Sequence, residues 1–137
     1  MSEKAAFQLN KYVFNSVFIN LENQKPSEVS IDFDPSGVFD SENSTYELKF
    51  IFSAFNTDSE DTPFIKIQCL GTFSFENVKT VAEIPSFFYR NAIAILFPYV
   101  RAFISTVTLQ ANIPPMILPT YNLSELEAPL KENTLTK

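Results

Sequence analysis

A chain of 137 residues with 45% hydrophobic content fits one globular domain that buries roughly 70% of its unfolded surface. The net charge of −6, with no Lys/Arg cluster, lacks the basic footprint that nucleic acid and anionic membranes require, and the absence of histidine removes the usual zinc ligand sets. Cys69 is the only cysteine, which rules out an intrachain disulfide, and with Gly37 and Gly71 as the only glycines no phosphate-cradling loop can be written.

In chain order, Phe7 to Leu21 is rich in β-formers and has neither glycine nor proline. It predicts a long strand with Phe7, Leu9, Val13, Val17 and Ile19 on one face and Tyr12, Phe14 and Phe18 on the other. After Gln24-Lys25-Pro26-Ser27, a second strand alternates Val29, Ile31 and Phe33 with Ser30, Asp32 and Asp34, up to an expected turn at Pro35-Ser36-Gly37. Tyr46, Leu48, Phe50, Phe52 and Ala54 define the dry face of a third strand. Ile65, Ile67, Cys69, Gly71, Phe73 and Phe75 define that of a fourth, paired to the third as a hairpin across Asn56 to Thr62. Strands first and helices afterwards give an α+β class with a four-stranded antiparallel sheet.

The period then becomes helical, with Ser86 as the expected N-cap. Ile93, Phe97, Val100, Ile104, Val107 and Ala111 form one apolar stripe, Leu96, Tyr99, Phe103, Thr106 and Gln110 a second, and Pro98, Arg101, Ser105, Thr108 and Asn112 a more polar third side. One sheet cannot cover both apolar stripes, so the second is expected to meet another subunit; the alternative is a helix sunk in a monomer core. Pro98 lacks an N–H and disfavours the helical conformation at Phe97, which predicts a proline-broken helix restarting there and running to about Gln110. Prolines 114, 115 and 119 keep the following apolar loop extended. Asn122 to Glu127 opens a short C-terminal helix that Pro129 stops early. The expectation is a single domain over 1–137, with its core at 7–126 and a frayed tail at 127–137.

Residues 1–10 lack the apolar region of a secretory signal, and Arg90 and Arg101 bracket the longest apolar run, Ala92 to Val100, which is too short to span a bilayer. A cytoplasmic location is expected, and the acceptor-like Asn43-Ser44-Thr45 and Asn122-Leu123-Ser124 are chance matches.

The wording of the second half, ILFPYVRAFIS over residues 95–105 and Leu118-Pro119-Thr120-Tyr121-Asn122-Leu123, resembles the SecB family of protein-export chaperones and its helix-opening Leu-Phe-Pro-Tyr-x-Arg signature. Looser similarity extends from Phe7-Gln8-Leu9 through Glu28 to Asp34 and Gly71-Thr72-Phe73-Ser74, so the resemblance covers about Phe7 to Leu126. It implies a sheet backed by helices, paired into homodimers or homotetramers through the first strand and the long helix. It also implies an ATP-independent holdase for unfolded preproteins, without a cofactor. An interface at Phe97, Tyr99, Val100, Phe103, Ile104 and Val107 agrees with the helix stripes. If the family geometry holds, Val29, Ile31 and Phe33 with Ile113, Met116, Ile117, Leu118, Tyr121, Leu123 and Leu126 line a peptide-binding groove. Family members dock on the export ATPase through acidic groups on the sheet, where this chain has Ser16, Asn20 and Lys66. Some SecB-like proteins serve one antitoxin, which is the alternative within the family.

Other candidate sites have plainer readings. Asp32 and Asp34 project from one strand face but lack a third ligand, and Asp58, Glu60 and Asp61 lack the spacing and glycine of a calcium loop. Without a histidine to activate it, Cys69 reads as a small core residue. No catalytic residue and no metal site are assigned, and an enzyme is not expected.

Overall fold

The computed structural model describes residues 6–114, 116, 118 and 122–137. Strands β1 (Phe7–Ile19), β2 (Val29–Asp40), β3 (Thr45–Asn56) and β4 (Ile65–Phe75) precede helix α1 (Phe88–Gln110), and helix α2 (Glu127–Glu132) and strand β5 (Thr134–Thr136) follow it. The sheet order is β1-β4-β3-β2-β5, antiparallel except for β5, which runs parallel to β2. The fold is α+β, as the strand-then-helix order predicts, with a mixed sheet of five strands instead of four.

The central strands obey their alternation. Tyr46, Leu48, Phe50, Phe52 and Ala54 on β3, and Ile65, Ile67, Cys69, Gly71, Phe73 and Phe75 on β4, are all buried on the face that α1 covers. A Cβ added at Gly71 would lie 3.1 Å from a methyl of Leu96, so α1 approaches β4 as closely as a bare backbone allows.

On β1 the face assignment is corrected. Its ladder with β4 shifts register between Leu9 and Lys11 and again between Phe14 and Ser16. Each bulge inserts one residue and so exchanges the two faces. Tyr12 and Phe14, opposite Gly71 and Cys69, therefore share the helix side with Phe7, Leu9, Val17 and Ile19, while Val13 and Phe18 face outward. The inserted asparagines are tied to the outer face of β4: Asn10 accepts from the Ser74 hydroxyl at 3.2 Å and Asn15 from the Gln68 amide at 3.1 Å.

The expected turn at Pro35-Ser36-Gly37 is instead the middle of β2. Gly37 donates its N–H away from β3, to the Asn133 carbonyl at 3.1 Å. Groups alternate along a strand, so Pro35 also directs its nitrogen outward, where no bond to β3 is lost. A Cβ at Gly37 would overlap the phenol ring of Tyr46, which is fully buried and hydrogen-bonded to Thr134 at 2.6 Å. Gly37→Ala is expected to cost about 2–3 kcal/mol through overpacking. A urea denaturation midpoint unchanged from wild type would contradict this.

Helix α1 is one continuous element with Pro98 inside it, not a helix broken there. Pro98 and the Ala94 carbonyl one turn before it lie on the exposed side, so water can take the orphaned acceptor. Ile93, Leu96, Phe97, Val100 and Ile104, buried on both sides of the proline, outweigh its penalty of about 3 kcal/mol. The N-cap is Phe87, not Ser86, and makes no side-chain cap bond. By length and composition α1 is long and apolar enough to cross a membrane, which corrects the shorter run read from sequence; its buried face packs on the sheet.

The tail is not frayed. Pro129 sits in the first turn of α2, where a missing N–H costs nothing, Leu130 is fully buried, and β5 pairs with Gly37–Phe39.

Candidate functional site

Two partly open apolar surfaces flank α1. On the β2 side, Val29, Ile31 and Phe33 all point toward the helix face of the sheet, because they register with Asn56, Ala54 and Phe52 of β3. Phe33 stacks on Phe50 (5.4 Å, 3° between planes) and meets Phe97 edge-on at 5.8 Å, so it joins the core to the surface. Ile31 is half-buried and Val29 is 41% exposed. The approach to Val29 is fixed by Asn56, a buried amide that accepts from Lys25 N–H at 2.8 Å and donates to the Lys25 and Ser27 carbonyls at 3.0 and 3.3 Å.

The loop after α1 is tied back to the helix through Met116. Thr108 Oγ1 accepts from Met116 N–H at 2.9 Å while donating to the Ile104 carbonyl at 2.8 Å, and Ser105 Oγ donates to the Met116 carbonyl at 3.2 Å. Thr108 is thus fully buried, not on the solvated third side of the helix that its spacing predicts. Thr108→Val leaves the Met116 N–H without its acceptor, at a cost of about 1–2 kcal/mol. Amide exchange at Met116 is expected to accelerate at least tenfold, and unchanged protection would contradict the assignment.

Beside this anchor lies an open concavity of about 590 Å³, lined by Phe97, Pro98, Ala102 and Leu109 with Arg101 and the hydroxyls of Ser105 and Thr106. Phe97 is shared with the Phe33 contact, so the apolar surface runs from β2 to the end of α1. Of the expected groove residues, Ile113, Met116, Leu123 and Leu126 are half-buried. Leu118, 2% exposed, is a core residue instead of groove surface. Ile117 and Tyr121 lie outside the described residues. The concavity also takes in Pro98, Ala102 and Leu109, which the expected groove does not include; Leu109, apolar yet off both predicted stripes, is the available signal.

On the β1 side, Tyr12 stacks on Tyr99 at 4.3 Å and Phe14 on Phe103 at 4.0 Å with 8° between planes. Tyr12 and Tyr99 stay about two-fifths exposed, as do Val17 and, on the outer face, Phe18, while Val13 on that face is about half exposed. The expected helix interface therefore divides. Phe97, Val100 and Ile104 are buried within the chain and unavailable to a second subunit, while Tyr99, Phe103 and Val107 retain accessible surface.

Among the described residues, neither surface carries a reactive constellation. Cys69 is fully buried, and burial pushes its thiol up to about 11, so no thiolate forms near neutrality. Burial likewise raises the Tyr46 phenol far above its ordinary value. Asp32 and Asp34 are exposed on the outer sheet face. Among the described residues no group of three His, Cys, Asp or Glu side chains is placed to hold a metal ion.

The sequence pattern of the family described as "Preprotein translocase subunit SecB" matches residues 11–129. An uncharacterized protein of Methanocaldococcus jannaschii is 42% identical over 74 residues, which make up 50% of this chain and 44% of that relative; the chain thus spans less than half of its length. A Mycobacterium tuberculosis SecB-like chaperone, solved in complex with a ChAD peptide from the antitoxin HigA1, superposes with a TM-score of 0.67 at 15% identity, covering 85% of this chain and 88% of that one. At that identity the superposition speaks for the fold.

Proposed function

Because the chain belongs to the SecB family, we propose that it is a cytoplasmic, ATP-independent chaperone that holds unfolded polypeptides on the apolar surface between β2 and the end of α1. The observation that carries this reading is the continuity of that surface. Val29, Ile31, Phe33 and Leu109 offer aliphatic and aromatic area around a floor formed by the largely buried Phe97, while Arg101 and two hydroxyls supply few fixed polar contacts. Such a surface selects for exposed apolar length and leaves the client's sequence open. Each client side chain buried there contributes on the order of 1.5–3 kcal/mol before ordering costs, so a few subsites suffice for micromolar affinity.

The assembly surface in this reading is the β1 side, where Tyr12, Tyr99, Phe14 and Phe103 form an aromatic strip. A dimer or tetramer joined there leaves the β2 side open on every subunit and adds avidity for long clients.

Suppression of aggregation of a slow-folding client tests the reading. Wild type is expected to delay aggregation. Val29→Asp, a change at an already exposed position, is expected to weaken client binding about tenfold without altering assembly, because it places an unpaired charge in the groove. A wild type that binds no unfolded chain would overturn the reading.

A second reading, service to one dedicated partner such as an antitoxin, draws on the outer sheet face. Ser16 lies opposite Gln68 and Phe18 opposite Lys66, and Asn20 caps the turn after β1, so the positions matched to the family's acidic docking groups carry no carboxylate. Export through the family's ATPase is therefore the weaker expectation. Binding of a single polypeptide out of a panel of unfolded clients would favour the dedicated role.

A further inference from the structure

The outer edge of β2 accepts a strand. Gly37 N–H donates to the Asn133 carbonyl at 3.1 Å, and the Phe39 carbonyl accepts from Lys137 N–H at 2.7 Å. By the alternation of a strand, Val29 and Ile31 turn their own N–H and C=O to that same edge. No hydrogen bond to those outward groups occurs among the described residues, and the ladder with β5 covers Gly37–Phe39 only. The strand in place is weakly held: it has three residues, Leu135 is 69% exposed, Thr136 is exposed, and its inward side-chain ties are confined to Thr134, whose hydroxyl donates to the Leu130 carbonyl and accepts from Tyr46. Short edge elements with exposed ladder bonds and little buried apolar surface open at low cost.

We propose that β5 is an exchangeable strand, and that an extended client segment lying parallel to β2 takes its place on Gly37–Phe39 while pairing with Val29 and Ile31 at the other end of the edge. This rests on the chaperone reading above. The client's chemistry follows from the two faces of β2. Inward positions meet Val29 and Ile31 and call for apolar side chains; outward positions lie beside the exposed carboxylates of Asp32 and Asp34 and call for Lys or Arg. The exchange replaces one set of ladder hydrogen bonds by an equivalent set, so the difference lies in the apolar area and charge that the longer client adds. A tethered β5 competes at high effective concentration, and so sets a threshold that a short or poorly patterned segment does not pass.

The probe is a fluorescein-labelled decapeptide of alternating valine and lysine, with permanently unfolded, alkylated α-lactalbumin as a general client. Val38 and Leu135 are ladder neighbours on the outer face, one half-buried and one exposed, so the double variant Val38→Cys/Leu135→Cys can clamp β5 by a disulfide while the buried Cys69 stays out of the exchange. The oxidised clamp is expected to weaken decapeptide binding at least tenfold, with recovery on reduction. Leu135→Pro, which removes the middle N–H that β5 turns toward β2, is expected to tighten it severalfold. In wild type, the decapeptide is expected to speed amide exchange at Leu135 and Lys137. If clamped and released forms bind the decapeptide as wild type does while alkylated α-lactalbumin still binds, the exchange is wrong and the chaperone reading stands. If neither probe binds any form, both fall together.

Discussion

Tyr99→Asp is expected to dissociate the proposed dimer or tetramer, lowering the mass measured by light scattering toward that of one chain while leaving the far-ultraviolet circular dichroism unchanged. Tyr99 lies about two-fifths exposed and stacks on Tyr12, which is equally exposed, so the pair presents an aromatic surface that a second subunit would cover. A carboxylate desolvated there without a partner costs several kcal/mol, and about 3 kcal/mol corresponds to roughly a hundredfold weaker association. Within the chain the substitution removes one exposed stack, worth about 1 kcal/mol, so the fold survives. Phe103→Asp should act in the same direction but also breaks the close stack with Phe14, and some loss of stability accompanies it. A wild type of monomer mass, or a Tyr99→Asp variant of wild-type mass, would overturn the proposed interface.

Phe88→Ala is expected to be the most destabilising single substitution on the helix, at about 3–5 kcal/mol. The ring is fully buried and meets Phe7 at 4.9 Å, Phe75 and Tyr46 at 4.8 Å, Phe73 at 5.5 Å and Tyr89 at 5.6 Å. It therefore joins three strands to the start of α1, and its removal leaves a cavity whose lining cannot close from any one side. Against a total stability of about 5–15 kcal/mol for a domain of this kind, that loss is a large share. Urea denaturation measures it, with Leu109→Ala, 58% exposed, as a control expected within about 0.5 kcal/mol of wild type. A shift below about 1 kcal/mol for Phe88→Ala would contradict the packing described.

Both candidate surfaces are legible in part. Val29, Ile31 and Phe33 were identified from alternation and family resemblance together, and they do share the helix face of the sheet. Phe97, Val100 and Ile104 were identified as one apolar stripe, but the period gave the stripe and not what covers it; the sheet of the same chain does. The division of the helix between core and exposed surface depends on how far β1 and β2 extend beneath it, which no local pattern contains.

By itself, the sequence determined the elements whose neighbours are regular. Strands β3 and β4 have neighbours on both sides, so residue parity and burial coincide, and the apolar residues found by alternation are the ones buried. The long helix and the SecB family were legible for the same reason: period and motif survive any packing. Tertiary structure alone decided the rest. The faces of β1 depend on bulges at Asn10 and Asn15, where parity changes against its partner strand. Pro35 and Pro98 are local breakers whose cost depends on their surroundings: the N–H that Pro35 lacks would have pointed away from β3, and the Ala94 carbonyl that Pro98 orphans lies on the exposed side of the helix. Thr108 reads as a surface hydroxyl until the Met116 backbone arrives to use it. The tail becomes a strand because β2 offers an edge, and an edge is a property of the folded sheet that no stretch of sequence carries.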